Sequence, residues 1–288
     1  MGKHQIIMGI ILGIANSILV VLSSSFVKLA ADHHNAIDLF FYRSIGVLIM
    51  SFVLLLSLNQ LSDLKRTNHK IQILRSTLGS IKMILAFLTL TLLPIAQAQL
   101  FMFLSPILIV ILSYPVLKER VGRQHWFAVI IGLIGAAIIL QPGILHSPLG
   151  VLSGLGVTIF YGASILCLRF MGRTENPNIT VFYFAGVSTA LCLPFIPFYI
   201  ILPTPYTMML ITMIILSSFA IQLCLTFAYK FAPAAVVSPL IYLNLIWALF
   251  ADFILWQEVP NGLMLIGALV IITANLGILW IDYNKDNT

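Results

Sequence analysis

Long apolar runs with almost no charges are the feature that most restricts how this chain can fold. Of its 288 residues, 60% are hydrophobic and only 8% are charged, whereas a water-soluble domain carries about 25% charged residues. A helix of about 20 apolar residues crosses the hydrocarbon core of a bilayer. Because the runs are continuous and do not alternate with a period of two, they favour transmembrane helices over the strands of a barrel.

Ten such runs predict an all-α integral membrane protein with ten transmembrane helices. If the N-terminus is cytoplasmic, the outer loops contain no Lys or Arg, and 12 of the 15 basic residues lie on the cytoplasmic side, in loops or at the ends of spans. The other three are Lys28, Arg43 and Lys82. Basic residues collect on the cytoplasmic side of membrane proteins, so both termini are predicted to be cytoplasmic. The first run is too long for a signal-peptide core and is expected to remain as a helix. The predicted spans are residues 6–29, 37–56, 73–93, 96–117, 126–140, 149–168, 179–201, 208–231, 234–255 and 262–281.

Helices four and nine contain the same spacing between a proline and a glutamate. The interval from Pro94 to Glu119 equals the interval from Pro233 to Glu258. The repeating unit is therefore five helices, and an odd number of helices forces the second copy to be inverted. Inverted repeats are a recurring design of transporters, with the substrate site near the middle of the membrane. The predicted halves are residues 1–141 and 142–288.

Lys28 and Arg169 occupy equivalent positions in the two predicted halves. The interval between them differs by only two positions from the interval between Glu119 and Glu258. Lys28 lies at the outer edge of helix one, and Arg169 lies at the inner edge of helix six. Since a long basic side chain can cover lipid with its stem while its charge reaches water, both are expected to snorkel.

Five motifs follow one another across nearly the whole chain. They are FFYRS in helix two, LRSTLG entering helix three, LPIAQAQLFMFLSPILIVILSYPVLKE in helix four, GLIGAAIILQPG at helix five, and APAAVVSPLIYLNLIWALFADFILWQE in helix nine. Together they resemble the EamA-type ten-helix branch of the drug/metabolite transporter superfamily. The chain departs from the pattern at Phe184, where the repeat would place a partner of Arg43, and at Ala274, where a glycine is often found. The resemblance implies that helices one, three, four, six, eight and nine line a central cavity.

Lys82 is the most informative charged residue. It lies nine residues into predicted helix three, a depth of about 13 Å at 1.5 Å per residue. A charge near the middle of a membrane helix costs about 2.5–3.5 kcal/mol on insertion scales. Either Lys82 faces the cavity and binds a substrate carboxylate or phosphate, or it is a structural cation paired with a buried acid or with backbone carbonyls.

Uncharged polar and aromatic side chains complete the predicted substrate site. In lipid, polar side chains point towards other helices or towards a watery cavity, so hydrogen bonding between helices is the alternative role. Tyrosine and tryptophan suit a partly apolar or ring-bearing solute. In addition to Lys82, the predicted substrate-binding residues are Asn16, Tyr161, Gln222, Tyr229, Tyr242, Asn244 and Trp247.

Arg43 and Asp252 are candidates for coupling or gating. Both lie near the outer ends of their helices, and a guanidinium is well suited to a carboxylate. We hypothesise an intramembrane ion pair that closes the outer side. The alternative is that each side chain merely reaches interfacial water.

No metal or cofactor is predicted. Cys167, Cys192 and Cys224 fall inside spans and are expected to be small buried apolar side chains. The pair His33 and His34 is too sparse for a metal site and is expected to lie in a solvated loop.

Prolines and glycines mark two further features of the spans. Prolines in helices four and nine permit kinks, with either packing or hinge roles. Glycines in helices five and ten give close-approach faces that pack either inside the chain or against a second subunit, which makes a homodimer through these helices a candidate. These glycines are Gly132, Gly135, Gly267 and Gly277.

These features predict a secondary transporter in the bacterial inner membrane. Its substrate is predicted to be a small anionic or zwitterionic, amino-acid-like metabolite, moved by alternating access. Import of a nucleoside-type metabolite such as S-adenosylmethionine is the alternative, and a non-transporting receptor or assembly subunit is an alternative of a different class. An enzyme is not expected, because the spans lack histidine and the sequence lacks HExxH and GxSxG. Nucleic acid is not an expected partner, because the basic residues sit in short gaps between the apolar runs.

Overall fold

The computed structural model describes residues 3–92, 95–119, 121–140, 147–172, 174–257, 259 and 261–285, and within these residues it contains helices but no strand. Six helices are long and apolar enough to cross a membrane, and shorter apolar helices accompany them. Every predicted span coincides with a helical segment, which confirms the all-α membrane fold. The segments are α1 (Lys3–Ala30), α2 (Ala36–Ser57), α3 (His69–Leu92), α4 (Ile95–Leu117), α5 (Arg123–Leu140), α6 (Pro148–Met171), α7 (Pro177–Cys192, extended by Leu193–Phe195 and Ile196–Tyr199), α8 (Pro205–Phe231), α9 (Ala234–Val237 and Leu243–Trp256, joined by the 3-10 turn Ser238–Tyr242) and α10 (Gly262–Lys285).

Three helices of the second half begin with the same local chemistry. A proline occupies the first helical turn of α6, α7 and α8, where its missing N–H removes no hydrogen bond. The residue before each proline accepts a hydrogen bond from a free backbone N–H of the first turn, which fixes the start of the helix. These capping residues are Ser147, Asn176 and Thr204.

The helices of the two halves pack in pairs, and the same set of pairs results when each helix is replaced by its repeat equivalent. α1 lies along α8, and α3 lies along α6. α2 packs on α7, and α5 packs on α10. Exchanging the halves converts the first pair into the second and leaves the last two pairs unchanged, as a five-plus-five inverted repeat requires. The predicted boundary after residue 141 falls outside the described residues and stays a prediction.

Proline breaks the helix in α9 but not in α4. In α9 the chain passes through a 3-10 turn around Pro239 before the α-helix resumes. α4 runs as one helix through Pro106, which cannot donate to the carbonyl of Met102. The Ser105 hydroxyl donates to that carbonyl at 2.5 Å, so the backbone group released by the proline is satisfied locally.

Three of the four predicted close-approach glycines of α5 and α10 make contacts inside the chain, and nothing lies within 4 Å of a Cβ built on Gly277. A Cβ added to Gly135 would lie 2.9 Å from the carbonyl oxygen of Gly267, and one added to Gly267 would lie 2.7 Å from that of Gly135. A Cβ on Gly132 would meet the ring of Tyr242 at 2.5 Å. These glycines therefore allow α5 to approach α10 and α9 within one molecule. The homodimer stays a prediction, and these three glycines do not support it.

Candidate functional site

A cavity of about 550 Å³ lies in the middle of the helix bundle. Helices α1, α3, α4, α6, α8 and α9 contribute to its lining, together with α2 and α7. The lining reaches Ala31 and His34 at the turn between α1 and α2, and at its other end it stops at Tyr229 and Val237. The cavity therefore extends towards the end of the bundle opposite the termini.

Three basic side chains line the cavity: Arg43, Arg75 and Lys82. α3 begins at His69, and at the helical rise Lys82 lies about 20 Å along this helix of about 36 Å. Its Nζ lies 4.8 Å from the centroid of the Tyr161 ring and 3.8 Å from the Met83 sulfur. No acidic side chain lines the cavity within the part of the chain that the structure describes.

Arg75 lines the cavity, although it was not among the predicted site residues. Its side chain is only 3% exposed, and its Nε and Nη1 atoms have no hydrogen-bond partner. The guanidinium carbon lies 4.5 Å from the centroid of the Phe184 ring, a cation–π contact. A signal was present in the sequence, because Arg75, Gly79 and Lys82 follow the helical spacing of one face of α3.

The contact between α2 and α8 and its repeat equivalent, the contact between α7 and α3, are made by different side chains. In α2, Arg43 Nε donates to the Ser218 hydroxyl of α8 at 2.7 Å. In α7, the repeat places Phe184 at the position equivalent to Arg43, and its ring covers Gly79 of α3, which is the repeat equivalent of Ser218. A Cβ on Gly79 would lie 2.9 Å from Phe184 Cε2, so the glycine allows the ring to approach. The departure from the repeat at Phe184 therefore falls inside the site.

Five other predicted substrate-binding residues lie together on the lining: Asn16, Tyr161, Gln222, Tyr229 and Asn244. The Asn16 and Asn244 Oδ1 atoms and the Gln222 Oε1 atom are buried without a hydrogen-bond partner. Buried polar atoms are nearly always hydrogen-bonded, so these three amides are suited to water or solute in the cavity.

The structure does not bring Tyr242 and Trp247 together with the other predicted substrate-binding residues, because neither lines the cavity. Tyr242 is fully buried, and its hydroxyl lies 2.9 Å from the Phe103 carbonyl and 3.2 Å from that of Val129. Trp247 Nε1 donates to the Ser17 hydroxyl at 2.8 Å and ties α9 to α1. A continuous helix would place Tyr242 on another face, because the 3-10 turn Ser238–Tyr242 has three residues per turn. Trp247 lies beyond this turn, in the same α-helix as Asn244.

Asp252 lies on α9, but its side chain is outside the described part of the structure. The partner found for Arg43 is Ser218. The ion pair between Arg43 and Asp252 therefore stays a prediction.

Glu119 and Arg169 close the bundle at the end that carries the termini. Arg169 Nε donates to Glu119 Oε1 at 2.7 Å, and its Nη1 donates to the carbonyls of Tyr229 and Lys230 at 2.8 and 3.0 Å. Glu119 Oε2 accepts from the Ala234 backbone N–H at 3.2 Å, at the start of α9. The prediction that Arg169 snorkels to the interface was wrong, because a buried carboxylate and two carbonyls hold its guanidinium inside the protein.

His34 also differs from its prediction as a solvated loop residue. It is 5% exposed and lines the cavity. Its Nδ1 lies 2.9 Å from Oδ2 of Asp38, which is fully buried in the first turn of α2. Burial follows from tertiary packing, because the turn between α1 and α2 folds over the edge of the cavity.

Comparison with known proteins agrees with this architecture. A solved crystal structure superimposes with a TM-score of 0.80 and 18% identity, covering 96% of this chain and 98% of the other; at that identity the likeness concerns the fold alone. An uncharacterized transporter of Helicobacter pylori is 27% identical over 260 residues, 86% of each chain. The pseudopaline exporter CntI of Pseudomonas aeruginosa is 24% identical over 270 residues, 92% of this chain and 94% of the exporter. An S-adenosylmethionine uptake transporter of Rickettsia prowazekii is 27% identical over 248 residues, 84% of this chain and 80% of that protein.

A family model also matches each half of the chain. The model describes the EamA-like transporter family, and it matches residues 7–141 and 148–280. With the apolar helices and the transporter relatives, these matches make the protein a multi-pass transporter of a small metabolite in the bacterial inner membrane. The chain therefore belongs to the EamA-like transporter family.

Proposed function

We propose that this protein is a secondary transporter of an anionic or zwitterionic, amino-acid-like metabolite, which it moves by alternating access. The observation that carries the proposal is the charge of the cavity. Arg43, Arg75 and Lys82 line it, and none of the acidic side chains that the structure describes does so. In a site of low dielectric, such charges attract an anion and repel a cation. The volume of about 550 Å³ suits a small organic molecule, for which sites of about 300–1,000 Å³ are typical.

The amide side chains supply a second kind of contact. Asn16, Gln222 and Asn244 come from α1, α8 and α9, whereas the three cations come from α2 and α3. Their unpaired oxygens can accept hydrogen bonds from an ammonium or a hydroxyl group. A zwitterion would place its carboxylate among the cations and its ammonium among the amides.

The asymmetry of the cavity supports alternating access. Its lining extends to His34 on one side, and on the other it ends above the cluster of Glu119, Arg169 and Ala234. With the predicted orientation, this arrangement corresponds to an outward-facing state. The sequence contains no GxxxxGK[ST] motif for a nucleotide, so we propose that a solute or ion gradient drives transport.

Import of a nucleoside-type metabolite is the second candidate. The similarity to S-adenosylmethionine uptake transporters favours it, and so do Tyr161 and Tyr229, whose rings can pack on a base. The sulfonium of S-adenosylmethionine weighs against it, because three cations in the cavity would repel this extra positive charge.

Solute uptake into proteoliposomes tests the proposal. After a thermal-shift screen has selected solutes from a metabolite library, we expect anionic or zwitterionic solutes to accumulate and cationic analogues not to compete. Lys82→Met is expected to lower uptake by about tenfold or more. The matched control is Lys70→Met, because Lys70 is an exposed lysine of the same helix.

The same assay separates the alternatives. Preferred accumulation of S-adenosylmethionine would support the second candidate. Saturable binding without accumulation would support a receptor or assembly subunit. Equal competition by cations and anions would contradict the proposed substrate class.

A further inference from the structure

Arg75 is a buried cation without a counter-charge. Its side chain is 3% exposed, and none of the carboxylates that the structure describes pairs with it. Its Nε and Nη1 atoms have no hydrogen-bond partner, although a guanidinium has five N–H donors. Such a group is costly in a membrane protein unless something satisfies it, and an intramembrane charge is by default a functional residue.

The surroundings of Arg75 orient its guanidinium. The Phe184 ring lies against it at 4.5 Å, and Gly79 leaves room for this ring. One face of the planar group is thereby covered, while the Nε and Nη1 donors stay unpaired. Because these two donors lie on different edges of the guanidinium, each can donate to one oxygen of a carboxylate or of a phosphate group.

Arg75 and Lys82 are separate cations on one face of α3. They lie two helical turns apart, or about 10 Å along the axis. Each lies against its own aromatic ring, Phe184 for Arg75 and Tyr161 for Lys82. A solute with a single acid group could satisfy only one of these positions at a time.

We propose that Arg75 binds a second acid group of the substrate, so that the transported solute carries at least two acid groups. The inference rests on the proposed function and deepens it: Lys82 binds one acid group in mid-membrane, and Arg75 binds another nearer the closed end. Phe184 is a positioning residue that holds the guanidinium through a cation–π contact.

Thermal shifts of the purified full chain test this inference with matched pairs of probes. The pairs are L-glutamate and L-glutamine, O-phospho-L-serine and L-serine, and glutathione and its glycine ethyl ester. We expect at least one doubly acidic probe to stabilise the protein at about tenfold lower concentration than its partner. In Arg75→Gln, the ratio of the two stabilising concentrations is expected to fall to about one. Arg75→Lys should keep part of the preference for the doubly acidic probe. Arg66→Gln, at an exposed arginine, should keep all of it.

Two outcomes of the thermal-shift measurements would overturn the inference. A wild-type protein that no doubly acidic probe stabilises more than its partner overturns the inference, and so does an unchanged preference in Arg75→Gln. If the proposed transport function itself is wrong, the result differs, because no solute would accumulate in proteoliposomes. If this inference alone fails, singly acidic solutes accumulate in proteoliposomes, and no doubly acidic probe stabilises the protein at a lower concentration than its partner.

Cysteine labelling supplies a measurement that does not depend on the solute. Ser164 lines the cavity, and its hydroxyl lies 3.4 Å from the carbonyl of Arg75. With Cys167, Cys192 and Cys224 replaced by alanine, Ser164→Cys should react about tenfold faster with an anionic than with a cationic methanethiosulfonate. Arg75→Gln is expected to reduce this ratio severalfold, and Arg75→Lys is expected to retain it. An equal ratio with and without Arg75 would show that its charge does not act on the cavity.

Discussion

Glu119 and Arg169 come from opposite halves of the chain and form an ion pair in which the side chains are only 12% and 3% exposed. The pair joins the end of α4 to the end of α6, while Glu119 also accepts from the first N–H of α9. Lys118, at φ 54, ends α4 in the left-handed region. Four helix ends are therefore held together where the cavity stops, since the carbonyls bound by Arg169 belong to the last turn of α8.

Breaking this pair should weaken the closed end. Removing one partner of a buried ion pair typically costs about 3–5 kcal/mol, because the other charge is left unpaired. We expect Arg169→Met to lower the melting temperature and to expose the neighbouring Ala228→Cys to a thiol reagent. The double variant Glu119→Gln with Arg169→Met should recover part of the stability. Unchanged melting in Arg169→Met would contradict a gating role, and Arg66→Met is the exposed control.

The repeat predicts a second gate at the other end. Glu258 is the repeat equivalent of Glu119, and Lys28 is the repeat equivalent of Arg169. Glu258 falls outside the described residues, so the hypothesis rests on repeat position alone. We expect Lys28 to pair with Glu258 when the opposite end closes. A disulfide between Lys28→Cys and Glu258→Cys should then block transport, and a reducing agent should release this block. Efficient transport by the cross-linked protein would contradict a gate formed by Lys28 and Glu258.

Replacing Lys82 by methionine should raise the stability of the protein and lower its transport rate. No described carboxylate pairs with it, so Lys82→Met removes an intramembrane charge and should raise stability by on the order of 1 kcal/mol. The same change is expected to lower uptake by about tenfold or more. Thermal melting and proteoliposome uptake measure the two effects, with Lys70→Met as the control. A loss of stability in Lys82→Met would instead indicate a structural cation.

Tyr242 should behave as a structural residue. Its hydroxyl contacts the carbonyls of Phe103 and Val129, and an interhelical hydrogen bond in a membrane protein contributes about 0.6–1.7 kcal/mol. Tyr242→Phe is therefore expected to lower the melting temperature and leave solute affinity unchanged. Tyr161→Leu, on the cavity lining, is expected to change affinity more than stability. A large loss of solute affinity in Tyr242→Phe would indicate that Tyr242 takes part in substrate binding.

The predicted pair of Arg43 and Asp252 can be tested by exchanging the charges. If the two side chains pair during the transport cycle, Arg43→Asp and Asp252→Arg should each abolish uptake, and the double variant should restore part of it. Ser218→Ala removes the partner that Arg43 has in this state and serves as a comparison. Failure of the double variant to rescue either single variant would count against the pair.

The sequence alone determined the number of helices, their inverted repeat and the importance of Lys82. Each of these follows from local quantities: the length of apolar runs against the thickness of a bilayer, a spacing shared by two segments, and the cost of a charge far from water. The same arguments placed Asn16, Tyr161, Gln222, Tyr229 and Asn244 on helices that line the cavity.

Only the tertiary structure decided which side chains the cavity exposes. Tyr242 falls in the 3-10 turn of α9 and lies off the lining, and no periodicity in the sequence announces such a turn. The Trp247 indole donates instead to the Ser17 hydroxyl of α1. Arg169 is held inside by Glu119, which is distant from it in the chain, and Arg75 has its position because Gly79 admits the ring of Phe184. Membrane solvation sets whether a segment is a helix, but contacts between helices distant in sequence set whether a charge on it meets lipid, another charge or the substrate.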